Sequence, residues 1–396
     1  MSQKRFYIFN DDVCIRLRLH GEDIKELLIK NAWIETKDQK SADIILVNTC
    51  SFIKNAEDAA IAKLEKIIAG KGIFQEIVVF GCLPDINPAR LREIHRGTSL
   101  SGRDTEGLIG IFDLKRFERK IGHRITRQGP ISTRIIKYLN RLLIRDDYFT
   151  YLFDKEKVFH LKISEGCLGQ CAYCAERLAR GSLKSKMISE IMKEFHEGLS
   201  QNYRIFSLNA DDVGLFGQDN QENIAQLLEE MLKIDKDFKL VITEFNPWAL
   251  LKYRERIADI LASPKIVFIT VPLESGSQKI LQLMKRPYIL EKIMPILLEI
   301  KSKNTGIKIN THIIVGFPGE TEDDFNETLG LFDRFYFNKV KIFRYSERPN
   351  TEAVLMPDKI NEGMKKERQK AVSRKVFQLA VKRLDIKAIL LNKIGF

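Results

Sequence analysis

The sequence contains no hydrophobic run long enough to cross a membrane. Its longest apolar stretches, such as residues 266–272, are far shorter than the roughly 20 residues that a membrane helix needs. Residues 1–7 are basic and no apolar stretch follows them, so we expect no secretory signal and a cytoplasmic protein. Cysteine and histidine are scarce, with six of each in 396 residues, which excludes a disulfide-built scaffold.

Composition places the chain among folded globular proteins. At roughly 150 residues per domain, its length predicts two to three domains. Hydrophobic residues make up 44% and charged residues 30%, which excludes collagen-like, mucin-like and wholly disordered chains. The formal net charge of +12 favours an anionic partner such as nucleic acid or an acidic peptide.

The six cysteines fall into two sets of three. The compact cysteine set is Cys167, Cys171 and Cys174, spaced Cys-x3-Cys-x2-Cys. Three thiolates in one tight loop suit a cubane [4Fe–4S] cluster with one iron left open, whereas structural zinc usually takes four ligands from paired short loops. A zinc site and three reduced core cysteines are the alternatives.

The spread cysteine set is Cys14, Cys50 and Cys82, and each member follows a short apolar stretch typical of a β-strand. The three predicted strands are residues 6–9, 44–47 and 77–80. Loops beyond the carboxyl ends of parallel strands converge on one crevice, so these cysteines can meet. Taken singly, each is also explained as a small buried hydrophobe.

From residue 158 onward, strands alternate with stretches of helical periodicity such as 188–199, 223–232 and 290–302. The six predicted strands are residues 159–163, 204–208, 238–242, 266–271, 307–315 and 339–344. Six such units predict a parallel partial (β/α)6 barrel. The first strand leads directly into the compact cysteine set.

The fold class is therefore α/β, in four predicted segments. They are an N-terminal open parallel α/β sheet domain at 1–114, a basic linker at 115–155, the partial barrel at 156–350 and a helical C-terminal tail at 351–396. The linker is interpreted as a solvated connector, with contact to an anionic substrate as the alternative. The basic tail is expected to pack against the barrel, with an RNA contact as the alternative.

The compact set, with Tyr173 before its last cysteine, resembles the motif of the radical S-adenosylmethionine (SAM) superfamily. Other stretches resemble signatures of the methylthiotransferases, in order along both domains. They are residues 47–53, 81–83, 161–167, 179–181, 274–277, 313–325 and 343–346. The resemblance implies a radical SAM barrel and an enzyme of this family.

The resemblance also implies cofactors and partners. The compact cysteine set would bind a [4Fe–4S] cluster whose open iron takes SAM, which is cleaved to a 5′-deoxyadenosyl radical. The spread cysteine set would bind an auxiliary [4Fe–4S] cluster that carries the sulfur to be inserted. The implied partners include an electron donor such as flavodoxin or ferredoxin. We expect no association with a membrane, and we favour a monomer.

Several polar, aromatic and glycine residues at the predicted carboxyl ends of barrel strands are candidate SAM contacts. They are Tyr173, Asp212, Glu274, Ser275, Gly316 and Phe317. Glycine at such turns lets the backbone approach a ligand closely. Ordinary strand-to-helix turns are the alternative.

The chain departs from the family pattern at three places. Cys14 lies in Val-Cys-Ile-Arg-Leu where the family has Gly-Cys-x-x-Asn, and Glu274 stands where an amide is usual. Family members usually carry a further C-terminal β-barrel domain that engages substrate, whereas this chain ends at Phe396, near where that domain would begin.

The substrate signals conflict. Residues 48–53 and 163–166 resemble the branch that modifies proteins. Residues 166–171, 211–217 and 245–247 resemble the branch that modifies threonylcarbamoyladenosine in tRNA. We favour a methylthiotransferase acting on a polypeptide, either a ribosomal protein or a peptide precursor. The alternatives are a tRNA methylthiotransferase, a two-cluster enzyme that inserts sulfur without methylation, and a non-catalytic metal- or nucleic-acid-binding protein.

Overall fold

Parallel strands dominate the computed structural model of the chain, which describes residues 3–102, 105–115 and 158–383. These residues divide into two units. The first contains the described residues up to 115 together with 174–182 and 346–351, and the remainder forms the second. The predicted linker beyond residue 115 and the predicted tail beyond residue 383 lie outside the described residues.

The first unit is built on a parallel sheet with the strand order β2-β1-β3-β4. Its strands are β1 (Arg5–Phe9), β2 (Ile34–Glu35), β3 (Ile44–Thr49) and β4 (Glu76–Gly81). Its helices are α1 (Ile15–Lys30), α2 (Lys54–Ala69), α3 (Leu83–Ile86), α4 (Pro88–Ile94), α5 (Thr105–Phe112) and α6 (Glu176–Arg180). The three predicted strands and the parallel α/β class are confirmed.

Helices cover both faces of this sheet, which explains the continuous apolar runs in β3 and β4. Ile44 and Leu46 pack with Ile24 of α1 in one buried cluster. Ile45 and Val47 point the other way and pack with apolar residues of α2. A strand that is buried on both faces needs apolar side chains at every position rather than at alternate ones.

The second unit contains a six-stranded parallel sheet with the order β12-β11-β10-β9-β8-β5. Its strands are β5 (Val158–Lys162), β8 (Ile205–Asn209), β9 (Lys239–Ile242), β10 (Ile266–Thr270), β11 (Lys308–Val315) and β12 (Lys339–Arg344). A separate antiparallel pair is formed by β6 (Ser164–Glu165) and β7 (Lys184–Ser185). All six predicted barrel strands are confirmed.

Helices follow the strands of the second unit in regular alternation. They are α7 (Ile188–Ser200), α8 (Ile224–Leu232), α9 (Pro247–Lys252), α10 (Arg254–Leu261), α11 (Gln278–Leu283), α12 (Leu290–Lys303), α13 (Glu322–Arg334) and α14 (Glu362–Lys382). Within the described ranges, no helix is both long and apolar enough to cross a membrane.

The barrel strands alternate between an apolar face and a polar one. Leu161, Leu208 and Ile242 belong to the large core that the helices complete. The intervening His160 and Asn209 are also buried, and Nδ2 of Asn209 lies 3.4 Å from Nδ1 of His160. Because successive strand residues point to opposite faces, the sheet carries buried polar groups on the face away from the helices.

Candidate active site

The first unit brings the spread cysteine set together. Cys50 directly follows β3, Cys82 directly follows β4, and Cys14 caps the amino end of α1. All three belong to one cluster of packed side chains that also includes Ala175 and Ala179, which flank and form part of α6. None of the three is in a disulfide. The predicted convergence of the three loops is therefore observed.

Two loops of the spread set are tied by the backbone. The amide of Cys82 donates to the carbonyl of Thr49, with an N···O distance of 2.8 Å. Gly81 has φ of +104°, and a Cβ built there would lie 2.5 Å from the Thr49 oxygen. Glycine is required at this position because both the dihedral angle and the close approach exclude a side chain.

Burial favours the protonated form of two thiols of the spread set, those of Cys50 and Cys82. The pKa of Cys50 is raised to about 12, chiefly by burial and also by the neighbouring Cys14, although Arg16 acts to lower it. Burial also raises the pKa of Cys82 well above its ordinary value, against the opposing charge of Arg180. Metal binding deprotonates such thiols, so the iron of a bound cluster would add positive charge to that of Arg16 and Arg180.

The spread set fits a cluster better than it fits one ion. Among the described residues, no group of three or more His, Cys, Asp or Glu side chains is arranged to hold a single metal ion. A cubane cluster binds each thiolate through a different iron, so its ligands need not meet around one point. Three free thiols in one side-chain cluster, with Arg16 and Arg180 nearby, are a suitable donor set.

Hydrogen bonds fix the segment that carries the compact set. Gly166, with φ of +77°, donates its amide to Oδ2 of Asp211 at 2.8 Å. The amide of Gly169 donates to Sγ of Cys167 at 3.1 Å. The amide of Ala172 donates to the carbonyl of Met284 at 3.0 Å. These bonds hold the loop after β5 in one conformation.

Two thiols of the compact set lie in contrasting electrostatic surroundings, that of Cys167 near a carboxylate and that of Cys171 near a guanidinium. The pKa of Cys167 is raised to about 12, chiefly by burial and next by the carboxylate of Asp212. Sγ of Cys171 lies 3.5 Å from Nη1 of Arg286, a buried guanidinium that the sequence analysis did not select. Its position between Lys285 and Pro287 gives no sign of burial.

Tyr173 joins two of the other candidate SAM contacts. Its hydroxyl donates to Oε1 of Glu274 at 3.1 Å. Its ring packs edge-on against Phe317, with the centroids 6.4 Å apart. The structure therefore brings Tyr173, Glu274 and Phe317 together in the second unit.

Glu274 is a strained and buried carboxylic acid. Its φ of +64° is unusual for a residue with a side chain, and its backbone bridges to Ile313. Its pKa is raised to about 7, chiefly by burial and also by Glu244. Arg286 and the hydrogen bond from Tyr173 act in the opposite direction. The carboxyl group thus changes charge near neutral pH, which an amide at this position would not do.

The Gly316–Phe317 turn is packed against the C-terminal helix. Gly316 has φ of +73°, and an added Cβ would clash with the side chain of Lys365 in α14. Its amide donates to Oε2 of Glu320 at 2.7 Å, and that carboxylate accepts from Nη1 of Arg368 at 2.6 Å. Residues of α14 therefore support the turn, a connection that the sequence did not reveal.

Asp212 and Ser275 use their polar atoms within the fold. The carboxylate of Asp212 accepts from the amide of Gly214 at 2.9 Å and from Nδ2 of Asn246 at 2.8 Å. The hydroxyl of Ser275 lies 3.2 Å from that of Thr328 in α13. Both side chains position neighbouring segments, and Asp211 rather than Asp212 anchors the cysteine loop.

Comparisons with known proteins agree with this geometry. The family described as the radical SAM superfamily matches residues 161–332, and the family described as uncharacterized protein family UPF0004 matches residues 14–101. A probable threonylcarbamoyladenosine tRNA methylthiotransferase of Pyrococcus horikoshii is 31% identical over 86% of this chain and 76% of the relative. The ribosomal protein uS12 methylthiotransferase RimO of Chlamydia pneumoniae is 29% identical over 91% of this chain and 75% of the relative.

The solved structures support the fold. A radical SAM methyltransferase, TsrM of Kitasatospora setae, bound to cobalamin and a [4Fe–4S] cluster, matches with a TM-score of 0.63. The match covers 89% of this chain and 77% of that chain at 13% identity. Fold and motif together define a radical SAM enzyme.

Within that superfamily, the chain belongs to the methylthiotransferase family. As a member of this family, it is an enzyme whose cofactors are SAM and two [4Fe–4S] clusters. The predicted family, enzyme class and cofactors are confirmed.

Proposed function

We propose that the protein inserts a methylthio group at an unactivated C–H bond of a polypeptide, with a ribosomal protein as the first candidate substrate. The observation that carries this proposal is the spread cysteine set, three free thiols gathered in one buried cluster in addition to the radical SAM motif. Forming a carbon–sulfur bond at such a carbon needs a radical source and a sulfur donor in one enzyme.

Each cysteine set would hold one cluster. When bound, these groups supply the electron that cleaves SAM to a 5′-deoxyadenosyl radical and the sulfur that is transferred. The chain's own contribution is to present thiolates and stabilise their charge. The Gly169 amide would stabilise the thiolate of Cys167, Arg286 that of Cys171, and Arg16 that of Cys50.

The candidate SAM contacts would act in two ways. Tyr173 and Glu274 would offer polar side-chain groups to the ligand. Gly316 would offer its backbone, and Phe317 the edge of its aromatic ring. Such a surface suits a ligand with a charged amino-acid end and an adenine ring. Asp212 and Ser275, whose polar atoms are engaged by neighbouring residues, would position the segments that carry the SAM contacts.

A polypeptide substrate has two supports. Residues 48–53 and 163–166 resemble the protein-modifying branch. Relatives named as uS12 methylthiotransferases align with 91% to 95% of this chain, against 86% for the two tRNA enzymes of Pyrococcus. The reaction also requires a one-electron donor such as flavodoxin or ferredoxin, and we expect a monomer in the cytoplasm.

tRNA is the second candidate substrate. The two Pyrococcus relatives named for it reach 31% and 32% identity, and the net charge of +12 suits a nucleic acid.

Mass spectrometry separates the two substrates. The anaerobically reconstituted enzyme is incubated with SAM, a low-potential reductant and either ribosomal protein uS12 or total tRNA. We expect the mass increase of one methylthio group on the protein, with formation of 5′-deoxyadenosine and S-adenosylhomocysteine. Modification of tRNA alone would overturn the polypeptide proposal, and sulfur addition without S-adenosylhomocysteine would identify the two-cluster enzyme that does not methylate. A variant with alanine at all three positions of the spread set is the control.

A further inference from the structure

Arg286 follows α11 and points a buried guanidinium at the compact cysteine set. Nη1 lies 3.5 Å from Sγ of Cys171, and Nη2 donates to the carbonyl of Pro272 at 2.9 Å. The guanidinium carbon is 5.5 Å from the centre of the Tyr288 ring. The Tyr288 hydroxyl in turn donates to the carbonyl of Leu273. The orientation of Arg286 is therefore fixed from three sides.

This arginine has an incomplete set of partners. Nε is buried, and among the described residues it makes no hydrogen bond. The groups near enough to stabilise its charge are Tyr173, Cys171, Tyr288 and Glu274. A buried guanidinium is costly unless an opposite charge lies beside it, and a metal-bound cysteine is permanently a thiolate.

We propose that Arg286 is a positioning residue that hydrogen-bonds the Cys171 thiolate and raises the reduction potential of the cluster on the compact set. The inference rests on the proposed function, since it requires a cluster ligated by Cys171. Reduction adds one electron from the external donor and makes the site more negative by one charge. A fixed buried cation stabilises the reduced form more than the oxidised form, and net charge and hydrogen bonds to sulfur set such potentials.

Three variants of the full-length chain test the proposal. Arg286→Gln removes the charge but keeps hydrogen-bonding capacity, whereas Arg286→Lys keeps the charge but loses the planar fork. Lys285→Gln is the matched control, because it removes the same charge from the adjacent residue, whose side chain is 47% exposed and paired with Glu352. The measurement is a redox titration of the reconstituted protein, followed by electron paramagnetic resonance. The cluster on the compact set is recognised because its spectrum changes when SAM is added.

We expect a more negative midpoint potential in Arg286→Gln, a smaller negative shift in Arg286→Lys and no shift in Lys285→Gln. Wild-type potentials in both Arg286 variants would overturn the inference. If Arg286→Gln cannot hold a cluster, the Arg286→Lys variant decides, since a wild-type potential there contradicts the role and a negative shift supports it. Failure of the proposed cluster ligation, on which the inference rests, is distinguishable, because a Cys171→Ala variant would then keep all the iron that the wild-type chain binds.

Discussion

The two cysteine sets are held in different ways. The spread set depends on tertiary structure, because its members follow three strands of the first sheet and are packed among apolar side chains. The compact set lies in one short segment, and the part of it up to Ala172 is fixed by hydrogen bonds to Asp211, Met284 and Arg286 of the second unit. A local motif identifies the compact set from sequence alone, whereas the spread set becomes convincing only when the sheet is known.

Among the substitutions considered, Arg368→Gln in α14 is expected to have the largest effect on the stability of the second unit. Arg368 is buried and donates to Glu320, whose carboxylate also holds the Gly316 amide. Breaking a buried pair leaves one charge uncompensated and costs about 3–5 kcal/mol. We therefore expect lower thermal stability of the second unit and weaker SAM binding, with the iron of the spread set retained.

Calorimetry and equilibrium dialysis with SAM measure both effects. Lys370→Gln, an exposed change on the same helix, is the control for lost charge. If both variants bind SAM equally well, α14 does not support the Gly316–Phe317 turn.

The next largest effect is a pH dependence of the stability of the second unit, which contains Glu274. The pKa of Glu274 is raised from 4.5 to about 7, chiefly by burial. Between these values the unfolded chain loses the proton that the folded chain keeps, so stability is complete below about pH 4.5 and falls as the pH rises toward 7. The shift corresponds to roughly 3 kcal/mol.

Glu274→Gln should make this slope shallower, because an amide does not titrate in this range, while the buried Asp212, whose pKa is raised to about 6, keeps a smaller slope of the same sign. Urea unfolding of the iron-free chain at several pH values measures it. An unchanged slope in the variant would assign the pH dependence to other groups.

The smallest effect is expected on the spread-set side, for Gly81→Ala. A methyl group there meets the Thr49 carbonyl, and φ of +104° is unfavourable for alanine, so we expect a loss of more than about 1 kcal/mol. Iron bound by the spread set should fall while iron bound by the compact set stays. Gly110→Ala in α5, where nothing lies within 4 Å of an added Cβ, is the control. Equal iron contents in the two variants would contradict the role of Gly81.

Much of the fold follows from local patterns. Apolar β-branched runs such as residues 44–47 predict buried parallel strands, and the structure has them within one or two residues. The strand β2 escaped prediction because two residues, Ile34 and Glu35, carry no periodicity. The return of segments 174–182 and 346–351 to the first unit also has no local signal, since chain topology determines it.

The site is predictable where chemistry is concentrated in a motif. Cysteine spacing identifies the compact set, the predicted strands before Cys14, Cys50 and Cys82 suggest the spread set, and Tyr173 and Phe317 follow from the resemblance. Arg286 and Arg368 could not be found, because in sequence each is one more basic residue and only the folded chain buries them. The structure also gives Gly276 a packing role, since an added Cβ would lie 2.5 Å from the Glu327 carbonyl oxygen of α13.

Iron and sulfide analysis after anaerobic reconstitution tests the central claim, that each cysteine set holds its own cluster. Wild type is compared with Cys14→Ala/Cys50→Ala/Cys82→Ala and with Cys167→Ala/Cys171→Ala/Cys174→Ala. We expect about eight irons in wild type and about four in each variant. A wild-type content of about four, unchanged by substitution of the spread set, would contradict the account.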